Sequence, residues 1–142
     1  MSKKSARIAA VIEQFQGREY DAHYLGFFDL FNGGLFYESH DVLEELWLAE
    51  RRKFNGAFYK GLIQLAGAFV HLQKDRLRPA AALFKLARAN LESYSPLHEG
   101  LAVTTVLGLI EDWLGRLEGS GFKTNPLHSH QPPELRLMTT RE

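Results

Sequence analysis

Apolar residues recur every three or four positions through most of the chain, which is the spacing of one face of an α-helix. No window alternates strictly between apolar and polar residues, and Leu and Ala far outnumber Val, Ile and Thr. The pattern therefore predicts an all-α protein, a single antiparallel helical bundle of about five or six helices with a Pro-containing C-terminal tail. In chain order the apolar stripes span residues 8–15, 20–31, 35–50, 56–74, 77–94 and 103–117.

The stripe over residues 56–74 is apolar almost all around its circumference, so we expect it to be the central helix of the bundle. Gly61 and Gly67 within it allow neighbouring backbones to approach closely. Lys60, Gln64 and His71 share one side of this helix, and the last two are the only polar side chains between residues 61 and 72. A buried helix rarely carries such groups without partners, so both are predicted to face other polar groups.

The length of 142 residues fits one domain. We predict a helical bundle domain over residues 1–119 and an extended or disordered tail over residues 120–142. After Gly119 the sequence is interrupted by prolines, poor in aromatic residues and without periodicity. The aromatic stripe over residues 20–31 is interpreted as core or as a subunit interface, which makes a homo-oligomer through this helix one expectation.

Composition excludes several classes of protein. Because 17 Lys+Arg balance 17 Asp+Glu, no overall charge attracts nucleic acid or an anionic membrane, and we expect neither as a partner. The absence of cysteine excludes disulfide scaffolds, thiolate zinc sites, iron–sulfur clusters and cysteine nucleophiles. The sequence contains neither a signal-peptide core nor an apolar run long enough to span a bilayer, so a cytoplasmic location is expected.

Polar and aromatic side chains share one flank of the third predicted helix, residues 35–50. At 100° per residue they lie beside its apolar face, whereas Glu38, Asp41 and Glu45 point toward the opposite side. Antiparallel counting through a turn near residue 53 places this flank against the polar side of the next helix. The predicted result is a half-buried cluster of His40, Glu44, Gln64 and His71, rimmed by Tyr37 and Trp47.

Imidazole and carboxylate groups four residues apart on a helix can bind one divalent ion, and this chemistry predicts Zn or Mn as the cofactor. The candidate metal ligands are His40, Glu44 and His71, and Glu38 and Glu44 are the candidate catalytic residues. Their spacing matches neither the HExxH zinc motif nor the Glu-x-x-His pairs of di-iron bundles. The alternative is a structural seam, in which these groups hydrogen-bond to one another and fix the helix register. The candidate pocket residues are Tyr37, Trp47 and Gln64.

Two stretches of the sequence resemble a known family. The first is FNGGLFYESHDVLEELW over residues 31–47, and the second is KGLIQLA over residues 60–66. Together they resemble the signature of the domain of unknown function 309 family, and the similarity extends over about residues 20–110. The resemblance implies a small all-α bundle, and members of the family are sometimes labelled predicted metal-dependent hydrolases. The motif positions correspond here to Glu38, His40, Glu44 and Trp47 on one helix, and to Gly61, Gln64 and His71 on the next.

Two classes of function follow from these patterns. The first is a metal-dependent hydrolase that acts on a small molecule at the His/Glu cluster. The second is a helical interaction module that binds a protein partner, with the aromatic helix over residues 20–31 as its exposed surface. Ala80, Phe84 and Ala87 have the spacing of the second helix of a tetratricopeptide hairpin, although only one such unit is visible.

Overall fold

The computed structural model describes residues 6–138, and residues 1–5 and 139–142 lie outside the described part. Consecutive helices pack against one another, which confirms the predicted all-α antiparallel bundle. Within the described part no helix is long and apolar enough to cross a membrane. The helices are α1 (Ala6–Phe15), α2 (Ala22–Asn32), α3 (Phe36–Glu50), α4 (Gly56–Gln73), α5 (Leu77–Leu91) and α6 (Val103–Gly119).

The central helix of the bundle is α4, which packs against α3 on one side and against α5 on the other. Phe58, Leu62 and Phe69 of this helix have no exposed surface. Burial of each such side chain contributes about 1.5–3 kcal/mol to folding, so α4 organises the core. An ideal Cβ atom at Gly61 would lie only 2.7 Å from Leu91 Cγ of α5, which confirms that this glycine permits a close helix approach.

The aromatic stripe of α2 lies in the core. Tyr24, Phe27 and Phe31 are at most 2% exposed. The Phe31 ring packs edge-on against Phe36 of α3 and Phe69 of α4, with ring centroids 4.9 and 5.8 Å apart. A homo-oligomer through this helix stays a prediction, and the burial of these rings inside one chain argues against it.

A short β-hairpin connects α5 to α6 within the all-α bundle. Strand β1 (Leu97–His98) pairs antiparallel with β2 (Leu101–Ala102). The turn residues Glu99 and Gly100 have φ angles of 50° and 75°, as the central residues of a type I′ hairpin turn require. Strands of two residues are too short for alternation to be visible, so no sequence pattern predicted them.

Residues 120–138 run back along the bundle and contact it at several points. Asn125 is buried and donates a hydrogen bond to the Leu72 carbonyl at the end of α4, at 2.6 Å. Further along, the Asn32 side chain exchanges two hydrogen bonds with the Leu135 backbone, at 2.8 and 2.7 Å. The predicted division into a bundle and a tail stays a prediction, and its outermost residues, 1–5 and 139–142, lie outside the described part.

Candidate functional site

A cavity of about 290 Å³ opens between α3, α4 and α5. From α3 it receives Tyr37 and His40, which lie about one turn apart, and from α5 it receives Leu83. The lining residues of α4 recur every three or four positions, so they share one face of that helix. They are Lys60, Ile63, Gln64, Gly67, Val70 and His71.

Two histidine nitrogens at this cavity lack a hydrogen-bond partner within residues 6–138. They are His40 Nδ1 and His71 Nδ1, and both atoms are buried. His40 Nδ1 lies 3.5 Å from Asp41 Oδ1, which is close enough for an electrostatic contact but does not form a hydrogen bond. Because an unsatisfied buried polar atom costs about 1–3 kcal/mol, these nitrogens are positions where a ligand would be stabilised.

Three neighbouring side chains on α3 form a candidate metal site. His40, Asp41 and Glu44 each offer one ligand atom, and these atoms lie within 4.8 Å of one another. All three residues are half-buried. One imidazole and two carboxylates are ligands that Zn and Mn accept.

The position of Asp41 corrects the helical-wheel prediction, which placed it on the opposite side from His40. The two residues are adjacent, so their Cα–Cβ bonds differ by about 100° around the helix axis. Side chains three or four bonds long can still reach toward each other across that angle, and the two side chains approach to 3.5 Å. A third ligand atom therefore comes from α3 itself.

His71 lines the same cavity as His40 but does not belong to the group of ligand atoms within 4.8 Å. Burial lowers its pKa from the usual 6.5, and the positive charges of Arg76 and Lys74 lower it further. The imidazole is therefore neutral near pH 7, with one ring nitrogen free to accept a proton. The role of His71 as a metal ligand stays a prediction.

Gln64 also lines the cavity, but its hydrogen-bond partner lies on α5. Its Oε1 atom accepts a hydrogen bond of 2.7 Å from Asn90 Nδ2. The expected contact with the polar flank of α3 is replaced by this bond, which holds the Gln64 side chain between α4 and α5. Asn90 was not among the predicted site residues.

The remaining predicted residues occupy the rim or lie apart. Tyr37 is 60% exposed at the cavity mouth, and its ring lies parallel to that of His40 with centroids 6.1 Å apart. Trp47 is not a lining residue, but its ring centroid lies 4.2 Å from Lys60 Nζ, which does line the cavity. Glu38 is also outside the lining and accepts a hydrogen bond from Arg7 Nη1 at 3.3 Å.

Lys60 is the charged cavity residue that the sequence analysis did not include among the site residues. A signal for it was present, because Lys60 shares one helical stripe with Gln64 and His71. A lysine at a helix surface is usually solvated, so the residue type alone gave no reason to select it.

Fold and site together define a small antiparallel helical bundle with a cavity beside a His–Asp–Glu group. A family model described as Domain of unknown function (DUF309) matches residues 24–83, which confirms the family resemblance. The matched residues include every residue that lines the cavity. Comparisons with the curated proteins and with the solved structures gave no significant match.

Proposed function

We propose that the protein is a metal-dependent hydrolase that binds a small-molecule substrate in the cavity beside a divalent cation held by His40, Asp41 and Glu44. The observation that carries this proposal is the approach of three ligand atoms to within 4.8 Å of one another, at a cavity where a ring nitrogen of His40 has no hydrogen-bond partner in the described residues. A structural seam would instead pair its polar groups with one another.

The ligand set fits this role. Two carboxylates balance the charge of a divalent cation, and a neutral imidazole completes a set that suits Zn or Mn. Three protein ligands leave further coordination positions open, as hydrolytic metal sites require. When bound, such a cation supplies Lewis-acid polarisation of the scissile group and acidifies water.

The chain's own residues supply the rest of the chemistry. His71 is the candidate general base, because its lowered pKa keeps one ring nitrogen free to accept a proton at neutral pH. The Gln64 amide is held by Asn90 and can orient a polar group of the substrate. Glu44 acts as a metal ligand in this proposal, and Glu38 has no part in it because it pairs with Arg7 outside the cavity.

Metal titration is the direct test. Protein purified without a histidine tag is dialysed against a chelator and titrated with Zn²⁺ and with Mn²⁺ in a calorimeter. We expect one ion per chain, and His40→Ala and Glu44→Gln should each weaken binding by more than about tenfold. Glu50→Gln is the matched control, because Glu50 is a carboxylate on the same helix that pairs with Lys53 at 3.8 Å.

Thermal unfolding and hydrolysis assays complete the test. A metal at about 100 times its Kd should stabilise the native state by about 2.7 kcal/mol, because it binds only that state. Hydrolysis of chromogenic esters and phosphate esters should then require both the metal and His40. A wild-type protein that binds neither ion would contradict the proposal and leave the helical interaction module with its structural seam.

A further inference from the structure

One cationic side chain that lines the cavity has no ion-pair partner among residues 6–138. Lys60 lines the cavity, and its ammonium group lies over the Trp47 ring at 4.2 Å from the centroid. Lys74 and Arg76 follow α4 in the chain, and their positive charges lower the pKa of His71, but neither residue lines the cavity. Cations without counter-ions around a concave site produce a positive potential that attracts anions.

Two cations on the neighbouring helix have carboxylate partners. Lys85 and Arg88 of α5 pair with Glu118 and Glu111 of α6, at 3.2 and 2.7 Å. Unlike Lys85 and Arg88, Lys60 has no carboxylate partner within residues 6–138. A ligand group is the partner that this position lacks.

One wall of the cavity is apolar. Ile63, Val70 and Leu83 form it, and Gly67 lies among them without a side chain. A Cβ atom at Gly67 would lie 3.0 Å from Leu83 Cδ1, so the glycine keeps this part of the cavity open. The volume of about 290 Å³ is near the lower end of the range for small-molecule sites.

Asp41 and Glu44 carry opposing charges beside the cavity, outside its lining. Their carboxylates would repel an anion, but a divalent cation bound by both of them would cancel their charge. With that cation in place, the charge that remains at the cavity is the positive charge of Lys60. The following inference therefore rests on the proposed function and names its substrate class.

We propose that the ligand of the cavity is a small organic anion with an apolar tail, whose carboxylate or phosphate group pairs with Lys60. Its tail lies along the apolar wall of Ile63, Val70 and Leu83, and its scissile bond faces the His40 side. Trp47 holds the Lys60 side chain in place through the cation–π contact, which reduces the freedom lost on binding.

The test uses three probes that share a six-carbon tail: hexanoate, hexyl phosphate and the neutral hexanol. Each is titrated calorimetrically into the full chain, once with Mn²⁺ present and once with a chelator. We expect at least one of the anions to bind more than about tenfold more tightly than hexanol when Mn²⁺ is present. The preference between hexanoate and hexyl phosphate then identifies the anionic group.

Variants of Lys60 test whether its charge causes the preference for anions. Lys60→Met keeps the apolar stem on Trp47 and removes the charge, so it should bind the anions no more tightly than hexanol. Lys60→Arg should retain most of the affinity, and Lys85→Met is the matched control that should bind as the wild type does. If Lys60→Met does not fold, as judged by circular dichroism, the affinities of the wild type for the three probes still test whether the cavity prefers anions.

The inference is overturned if hexanol binds as tightly as both anions, or if folded Lys60→Met binds them as the wild type does. Failure of the proposed function looks different. Anion binding that depends on Lys60 in the chelator, with no metal bound in the separate metal titration, would support the anion site and remove the hydrolase. Metal binding that depends on His40, without selectivity for anions, would support the metal site and remove the anion site.

Discussion

A methyl group at Gly61 tests the close packing of α4 against α5. An ideal Cβ atom there lies 2.7 Å from Leu91 Cγ, 2.9 Å from Leu91 Cδ2 and 3.2 Å from Asn90 Cβ. Carbon atoms pack best at about 3.5–4.0 Å, so the methyl group would be about 1 Å too close to Leu91. Leu91 has no exposed surface, so it has no free space into which to move.

The expected change in the free energy of unfolding of Gly61→Ala follows from two opposing effects. Overpacking of this kind costs about 1–3 kcal/mol, whereas replacing a helical glycine by alanine contributes about 1 kcal/mol of helix propensity. Gly108 in α6 is the matched control, because a Cβ atom there meets nothing within 4 Å. Gly61→Ala should therefore be less stable than Gly108→Ala by about 1–3 kcal/mol in the free energy of unfolding, which is the overpacking cost alone.

Thermal and urea unfolding, followed by far-UV circular dichroism, measure this difference. For a chain of 142 residues, 1 kcal/mol corresponds to about 3 °C in Tm, so the two variants should differ by about 3–9 °C. Gly108→Ala should also be more stable than the wild type. Equal stability of the two variants, or a higher Tm for Gly61→Ala, would refute the close contact between α4 and α5 at this residue.

Three further predictions follow from individual contacts. Asn125→Ala should lower the free energy of unfolding by about 1–3 kcal/mol, because the buried Asn125 side chain loses its hydrogen bonds to the Leu72 carbonyl, the Asp75 carboxylate and the Leu127 amide; an unchanged urea midpoint would contradict this. Asn32→Ala removes two hydrogen bonds to Leu135, so hydrogen exchange at the Leu135 amide should become faster while the bundle stays folded, and unaltered exchange would count against it. The pKa of His71 lies below its usual 6.5, so the unfolded state binds more protons than the native state just below pH 6.5, and stability should fall as the pH decreases through that range. His71→Gln should flatten this dependence, and an NMR titration that gives a pKa for His71 at or above 6.5 would exclude the effect.

Helix positions were predictable because each helix buries one face, and burial imposes a period of 3.6 residues on the sequence. α4 shows this most clearly, since its nearly continuous apolar surface indicated a helix with neighbours on both sides, as found. The hairpin of β1 and β2 was not predictable in the same way. It consists of two backbone pairs and a turn with positive φ at Glu99 and Gly100, none of which repeats often enough to leave a pattern.

The candidate site was predictable only in part, because a helical wheel positions side chains relative to their own helix. It brought His40, Gln64 and His71 to one cavity, since each lies on the side of its helix that faces the other. It gave no account of α5, so the bond from Asn90 to Gln64 was missed. It also ignored the reach of side chains along the same helix, which is why Asp41 was assigned to the wrong side.

The contrast between two kinds of histidine in this chain bears on the choice between a ligand site and a structural seam. His23 is fully paired, with Nδ1 at 2.9 Å from Asp21 Oδ1 and Nε2 at 3.1 Å from Glu45 Oε1. His40 and His71 each keep a buried Nδ1 atom without a hydrogen-bond partner in the described part of the chain. A seam whose only role is stability would resemble the surroundings of His23, because each unpaired buried nitrogen costs about 1–3 kcal/mol. Two such costs at one cavity are explained more simply by a ligand that binds there than by the stability of the bundle.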